Sequence, residues 1–273
     1  NKHMFVADNA EALARLKTVI TGLRPAPPSR ALRVLQDSPR WNGYFLFLGD
    51  GQLTPRHRYT LTRLRMLRGR LLVICATPTA DMVPPELLEM CDAVYWKGLS
   101  GYDFSAYAVA LREVALRSSG ADLLLLNDSV FGPFGDLDTI LDATPWQLTG
   151  FTASSGFENH LQSYALYWRN VTMPLVHALR TVMPRRVAFN DFQDVVNWQE
   201  TRLGRVVSCT RTVGALWFGA QSEIGDPSLT CAVPLLRAGF PFLKRSLFGG
   251  KLSARADQDE LRQWLGDHGH PCD

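Results

Sequence analysis

Three consecutive polar side chains, Asn127, Asp128 and Ser129, follow four leucines at Leu123, Leu124, Leu125 and Leu126 and precede Gly132 and Pro133. A carboxylate flanked by an amide and a hydroxyl suits a divalent cation or the hydroxyl of a ribose. The same triplet is also ordinary turn vocabulary before Gly-Pro, so its meaning depends on what positions it. Other residues of chemical interest are Asp103 after Gly101 and Tyr102, the pair His160 and Gln162, and Lys244 with Arg245.

The four leucines are too few for a buried helix and have no polar face, so they read as a strand buried on both faces, with the triplet at its end. Three apolar runs precede it: Tyr44 to Leu48, Leu71 to Ala76 and Ala93 to Lys97. Between them lie an arginine-rich helix, a helix from Pro84-Pro85 through Met90, and one placing Phe104, Tyr107, Ala108, Leu111, Val114 and Ala115 on one face. Four strands joined by helical crossovers predict a parallel α/β sheet, because parallel strands cannot be joined by tight hairpins. In such sheets ligands bind beyond the carboxyl ends of the strands.

Beyond Gly135 the pattern becomes mixed. Gln147 to Thr152 and His160 to Trp168 are strand-like, the latter with His160, Gln162 and Tyr164 on one face. Helices are expected over Pro174 to Val182 and Asp194 to Leu203, a strand over Arg205 to Thr212, and a helix ending at Gly239. The organisation predicted is a leading segment 1–40, a nucleotide-binding half 41–135 and an acceptor-side half 136–273 of the same domain. The leading segment holds an apparent tag remnant, a helix from Asn9 to Leu23 and a proline-rich linker.

At 273 residues and 46% hydrophobic content the chain can bury a full core. A net charge of +3 does not point to nucleic acid, although the base is lopsided, with 24 Arg and 5 Lys. Six arginines fall at Arg56, Arg58, Arg63, Arg65, Arg68 and Arg70, and of these Arg56, Arg58, Arg63 and Arg65 lie outside the arc of Leu61, Leu64 and Leu67. They form a solvated polar face or a surface for anionic lipid headgroups or a lipid-linked diphosphate. No apolar run reaches the roughly 18 residues of a membrane span. Five cysteines without ligand spacing argue against a disulfide framework or zinc site, so a reducing, cytoplasmic setting is expected, with at most peripheral membrane contact. Gly49-Asp50-Gly51 lacks the third glycine of a dinucleotide fingerprint, and no P-loop, GxSxG or HExxH occurs. A nucleotide-binding α/β half with an aspartate turn, followed by a mixed half, is the layout of a GT-A-type glycosyltransferase.

Five ordered segments then carry a specific resemblance: Gly101 to Tyr107, Leu126 to Pro133, His160 to Tyr164, Glu200 to Leu203 and Gly239 to Arg245. Together they resemble the rhamnan synthesis F family of bacterial polysaccharide glycosyltransferases over roughly residues 44 to 248. The resemblance implies a GT-A-like, Rossmann-type fold and a nucleotide-sugar donor, with dTDP-L-rhamnose the donor it points to. It also implies a growing, lipid-linked glycan acceptor at the cytoplasmic face of the membrane. Where the family usually carries Arg and Asn before Gly-Tyr-Asp-Phe, this chain has Lys97 and Leu99.

Glycosyl transfer must stabilise a leaving diphosphate and take a proton from the attacking hydroxyl. Asp128 is the candidate for the donor end, through Mg²⁺ or Mn²⁺ or by holding the ribose, with Tyr102, Asp103, Asn127, Ser129 and Lys244 as further donor contacts. Asp103 alternatively caps the helix starting at Phe104. His160, Gln162 and Ser163 are candidate acceptor contacts, and Glu200 is placed by the resemblance as general base of an inverting transfer. Lys244 and Arg245 could neutralise the diphosphate. Two other readings are a non-catalytic carbohydrate-binding or scaffolding module and a nucleotide-sugar hydrolase.

Overall fold

A computed structural model describes residues 22–155, 159–218, 226–249 and 256–271. Two short strands, β1 (Leu23–Pro25) and β2 (Ser29–Arg33), lead into a βα-repeating segment. It runs through β3 (Arg40–Phe47), a helix at Pro55–Arg65, β4 (Arg70–Ala76), a helix at Pro85–Met90, β5 (Ala93–Lys97), a helix at Tyr102–Arg117 and β6 (Asp122–Asn127). The second half holds β7 (Val130–Phe131), β8 (Leu148–Ser154), β9 (His160–Leu161), β10 (Ala165–Trp168), β11 (Val187–Phe189), β12 (Val213–Phe218) and β13 (Leu243–Lys244).

The main sheet has the order β12-β8-β10-β6-β3-β4-β5-β2, with β9 added beside β8. β3, β4, β5 and β6 pair in parallel, as the crossover helices require. β10 runs antiparallel between β6 and β8, and β12 pairs in parallel with β8, so both halves of the chain build one sheet.

The leucine strand divides the core. Leu123 and Leu125 pack with Trp41, Phe45 and the inner face of the Tyr102–Arg117 helix (Phe104, Tyr107, Leu111, Val114). Leu124 and Leu126 pack with Tyr44, Leu46, Leu61, Leu64 and Leu87 on the opposite face. Alternation at period two therefore places consecutive leucines in two different cores, which a strand covered by helices on both sides demands. The fold is thus α/β, with a large, mostly parallel sheet and flanking helices.

Four expectations change. The segment from Arg205 is helical, within Thr201–Ser208, because Leu203 and Val207 are buried at i, i+4 spacing. The β-branched pair Val206-Val207 imitates a strand, and the real one, β12, starts at Val213. His160 to Trp168 is two strands: β9 pairs with β8, while β10 crosses to lie between β8 and β6, and the chain turns at Ser163-Tyr164. The expected helix from Asp194 to Leu203 is interrupted by a π-helical turn at Val196–Glu200. Of the helix expected from Asn9 to Leu23, all but its last two residues lie outside the described residues, and Leu23 begins β1.

The arginine-rich stretch has partners within the chain. Arg58 pairs with Glu86, and Arg63 donates to the carbonyls of Pro133 and Gly135. Arg65 donates to Met90 O, Arg68 pairs with Asp142, and Arg70 donates to Gln36. These contacts tie the Pro55–Arg65 helix and the start of β4 to neighbouring loops. Among the described residues no helix is long and apolar enough to cross a membrane.

Candidate functional site

The site lies at the carboxyl ends of β3, β5 and β6. Asn127 ends β6 and is held rigidly: its N–H donates to Tyr164 O at 3.0 Å and its Oδ1 accepts both the N–H and the hydroxyl of Ser129, at 3.1 and 2.5 Å. Its amide Nδ2 points the other way and donates to Asp103 Oδ2 at 3.1 Å. Asn127 and Ser129 thus lock each other, while the Asp128 side chain takes no part in that pairing.

Asp103 is buried inside the first turn of the Tyr102–Arg117 helix. The helix starts at Tyr102, after a left-handed Gly101, so Asp103 lies within its first turn and is not the residue that precedes it, as was expected. Its Oδ1 still accepts the Phe104 N–H at 3.0 Å, while Oδ2 accepts from Asn127 and, at 2.9 Å, from the Ser163 hydroxyl. Both of its oxygens are engaged by groups of the protein. Burial, reinforced by Glu200, pushes its pKa up to about 6. Ser163 joins two carboxylates, since its N–H donates to Glu200 Oε1 at 2.6 Å. A continuous chain of hydrogen bonds thereby runs Ser129, Asn127, Asp103, Ser163, Glu200. The turn that splits β9 from β10 is what brings the Ser163 N–H to Glu200. The π-turn places Glu200 at the opposite end of that bond.

Tyr102 stands exposed at the rim with a positive φ of 47°, a conformation costly for a residue with a Cβ. Its ring lies 6.5 Å from the exposed ring of Phe192. Gly101, φ 87°, has Ser105 and Ala188 where a Cβ would stand, at 2.8 and 2.9 Å, so only glycine fits there.

Lys97, at the end of β5, is fully buried; its Nζ donates to Ser100 O at 2.9 Å and lies 5.2 Å from the centre of the Phe45 ring. Burial pulls its pKa down to about 7, against the opposing influence of Asp103. A lysine whose folded pKa is depressed holds fewer protons than the unfolded chain above that value, so stability rises with pH from about 7 upward. Lys97→Met is expected to flatten this rise between about pH 7 and 8.5 in urea-unfolding curves. An unchanged slope would show that Lys97 is not its source.

A second group surrounds Asp128. Its Oδ2 is faced by the Phe47 N–H at 3.4 Å, Arg245 Nη1 at 3.8 Å and His57 Nε2 at 3.9 Å, and Arg245 also donates to Asp128 O at 2.6 Å. Burial raises the Asp128 carboxyl above its usual range despite Arg245. His57 is the third residue of the Pro55–Arg65 helix, and its Nδ1 accepts the Thr54 N–H at 3.2 Å, closing a capping box. Burial lowers the His57 pKa to about 4, so the ring is neutral near pH 7.

The acceptor-side candidates separate. Gln162 donates to Asp226 Oδ2 at 2.7 Å, and Lys244 pairs with the same oxygen at 3.1 Å while lying over the Tyr164 ring. Lys244 is therefore bound to Asp226, and its neighbour Arg245 is the cation at Asp128. Burial favours a neutral Asp226, but Lys244, Ser228 and Gln162 outweigh it and hold the carboxyl below its usual range. His160 sits buried in β9, and Tyr164 lies in the turn that follows it. Sequence reasoning missed His57 and Asp226. His57 was legible only as part of a basic stretch, and Asp226 before Pro227 reads as a helix cap, a role it also performs.

A Mg²⁺ or Mn²⁺ at Asp128 is the cofactor the sequence suggested. Asp128 is the one carboxylate of the triplet, and the groups facing it carry hydrogens, a set that does not fit a resident divalent cation. Among the described residues, no three His, Cys, Asp or Glu side chains converge as metal ligands.

Comparison with known proteins places this geometry in a family. The model of rhamnan synthesis protein F matches residues 71–263, which contain β4 to β13 and every candidate residue named for donor and acceptor. This chain belongs to the rhamnan synthesis protein F family. The virulence protein VirA of Vibrio anguillarum is 37% identical over 96 residues, covering 34% of this chain and 31% of VirA, so the match spans about a third of that relative's length. Among solved structures, 4-diphosphocytidyl-2C-methyl-D-erythritol synthase from Anaerococcus prevotii shares 11% identity at a TM-score of 0.40, covering 68% of this chain and 90% of its own. A protein described as a nucleotide-diphospho-sugar transferase from Desulfovibrio desulfuricans shares 11% at a TM-score of 0.39, covering 81% and 94%.

Proposed function

We propose that this member of the family transfers a sugar, L-rhamnose from dTDP-L-rhamnose, onto a growing bacterial surface glycan carried on a lipid, with inversion at the anomeric carbon. The observation that carries this reading is the hydrogen-bonded chain from the Asp128 turn to Glu200 within a family of rhamnan synthesis proteins. Asp128 accepts a hydroxyl of the donor's ribose. Glu200, fixed through one oxygen by the Ser163 N–H, takes the acceptor's proton with the other as the acceptor oxygen attacks and the nucleoside diphosphate leaves. Asp103 and Asn127 hold the two ends in register, and Tyr102 with Phe192 offers exposed rings at the rim for a sugar face.

The test is a transfer assay with radiolabelled dTDP-L-rhamnose and a lipid-extracted glycan acceptor from a rhamnan-producing bacterium. The expected result is label in the glycan at a rate that depends on acceptor concentration. Release of free rhamnose at the same rate without acceptor would instead identify a nucleotide-sugar hydrolase. Glycan binding without turnover of dTDP, UDP or GDP sugars would identify a scaffold module.

A further inference from the structure

We infer that the donor diphosphate is neutralised in this chain by Arg245 and hydrogen donors around it, without a divalent cation; this deepens the donor-site reading above and rests on it. A metal held through a carboxylate turn needs neighbouring oxygens free to ligate. Here Asn127 Oδ1 is consumed by two bonds from Ser129, and the Ser129 hydroxyl is the donor in one of them. Asn127 Nδ2 is turned toward Asp103. Asn127 therefore offers no ligand, and the turn keeps the Asp128 carboxylate and the lone pairs of the Ser129 hydroxyl.

The surroundings of Asp128 point the same way. Every group that faces its Oδ2 is a hydrogen donor: the Phe47 N–H, the Arg245 guanidinium and His57. For His57 the tautomer is fixed by geometry. Because Nδ1 accepts the Thr54 N–H, the proton of the neutral ring sits on Nε2, and that nitrogen is a donor with no lone pair for a metal. His57 is almost completely buried, and among the described residues its Nε2 has no hydrogen-bond partner. A buried, unsatisfied N–H costs free energy unless a ligand meets it.

The Phe47 N–H bonds the carboxylate oxygen at 3.4 Å, whereas Arg245 Nη1 and His57 Nε2 stand 3.8 and 3.9 Å from it, beyond ordinary hydrogen-bond length. This arrangement matches a diphosphate oxygen meeting Arg245 and the His57 Nε2–H, with Asp128 kept for a sugar hydroxyl. Arg56 adds positive potential at Asp128, and the amino end of the Pro55–Arg65 helix faces the same point.

The test is calorimetric titration of the full chain with dTDP, UDP and GDP, each in EDTA and in Mn²⁺. For the nucleotide that binds, the dissociation constant is expected to agree within about twofold between the two conditions. Arg245→Gln is expected to weaken it about tenfold or more in both, the loss of a charge-assisted contact. Arg245→Lys, which keeps the charge, is expected to recover part of the loss, with circular dichroism confirming that both variants fold. Binding in Mn²⁺ that vanishes in EDTA would overturn the inference while leaving the donor site standing. Full affinity in Arg245→Gln would overturn it as well. No heat with any nucleotide under either condition would overturn the donor site and this inference together.

Discussion

Replacing Glu200 by Gln is expected to slow glycosyl transfer by about 10²- to 10⁴-fold, the range that removing a general base costs. The substitution is nearly isosteric, and a glutamine oxygen can still accept the Ser163 N–H that fixes Glu200. The turn at Ser163, the Asp103 contacts and the route to Asn127 therefore persist, and only proton uptake is lost. Nucleotide affinity should stay within about twofold, because the donor groups lie at Asp128 and Arg245. Initial rates under saturating donor, set beside calorimetric dissociation constants, separate the two effects. Equal losses of binding and rate would place Glu200 in the scaffold, and an unchanged rate would remove it from the chemistry.

Leu124→Ala is expected to destabilise the protein by about 2–5 kcal/mol, the usual cost of emptying a well-packed leucine site. Leu124 is wholly buried, packed in one core with Tyr44, Leu61 and Leu64, and pairs in β6 with Asn42 on β3 and Tyr167 on β10. Its neighbours are held by strands on both sides, so the cavity has little room to collapse. Urea unfolding followed by circular dichroism reads the change as a midpoint shift at constant slope. A shift below about 1 kcal/mol would show that this part of the sheet relaxes around the lost side chain.

The parallel sheet was legible because its evidence is local. Each of β3 to β6 is a short apolar run, and the leucine strand declares two-sided burial by having no polar face. Asp103, Asn127 and Glu200 were legible as candidates for the same reason, since each sits in a segment with a recognisable residue pattern. What joins them was not. Asp103 turns inward because Ser163 and Asn127, 60 and 24 positions away, both donate to it. No spacing rule links such residues, only the fold does. The strand misplaced onto Arg205 to Thr212 shows the converse: Val206 and Val207 have strand propensity, but burial of Leu203 and Val207 against the sheet selects a helix. Lys244 and Arg245 carry the same charge and could not be told apart in the sequence, while the antiparallel pairing of β13 with β7 brings Arg245 N–H to Ser129 O and leaves Lys244 with Asp226.

The central claim is a nucleotide-sugar site at the end of β6, and the most direct measurement is calorimetric titration of wild type and Asp128→Ala with dTDP, UDP and GDP. Micromolar binding of one nucleotide by the wild type, weakened about tenfold or more by the substitution, is the expected result. Binding of equal strength in Asp128→Ala, or the absence of binding by the wild type to all three, would contradict it.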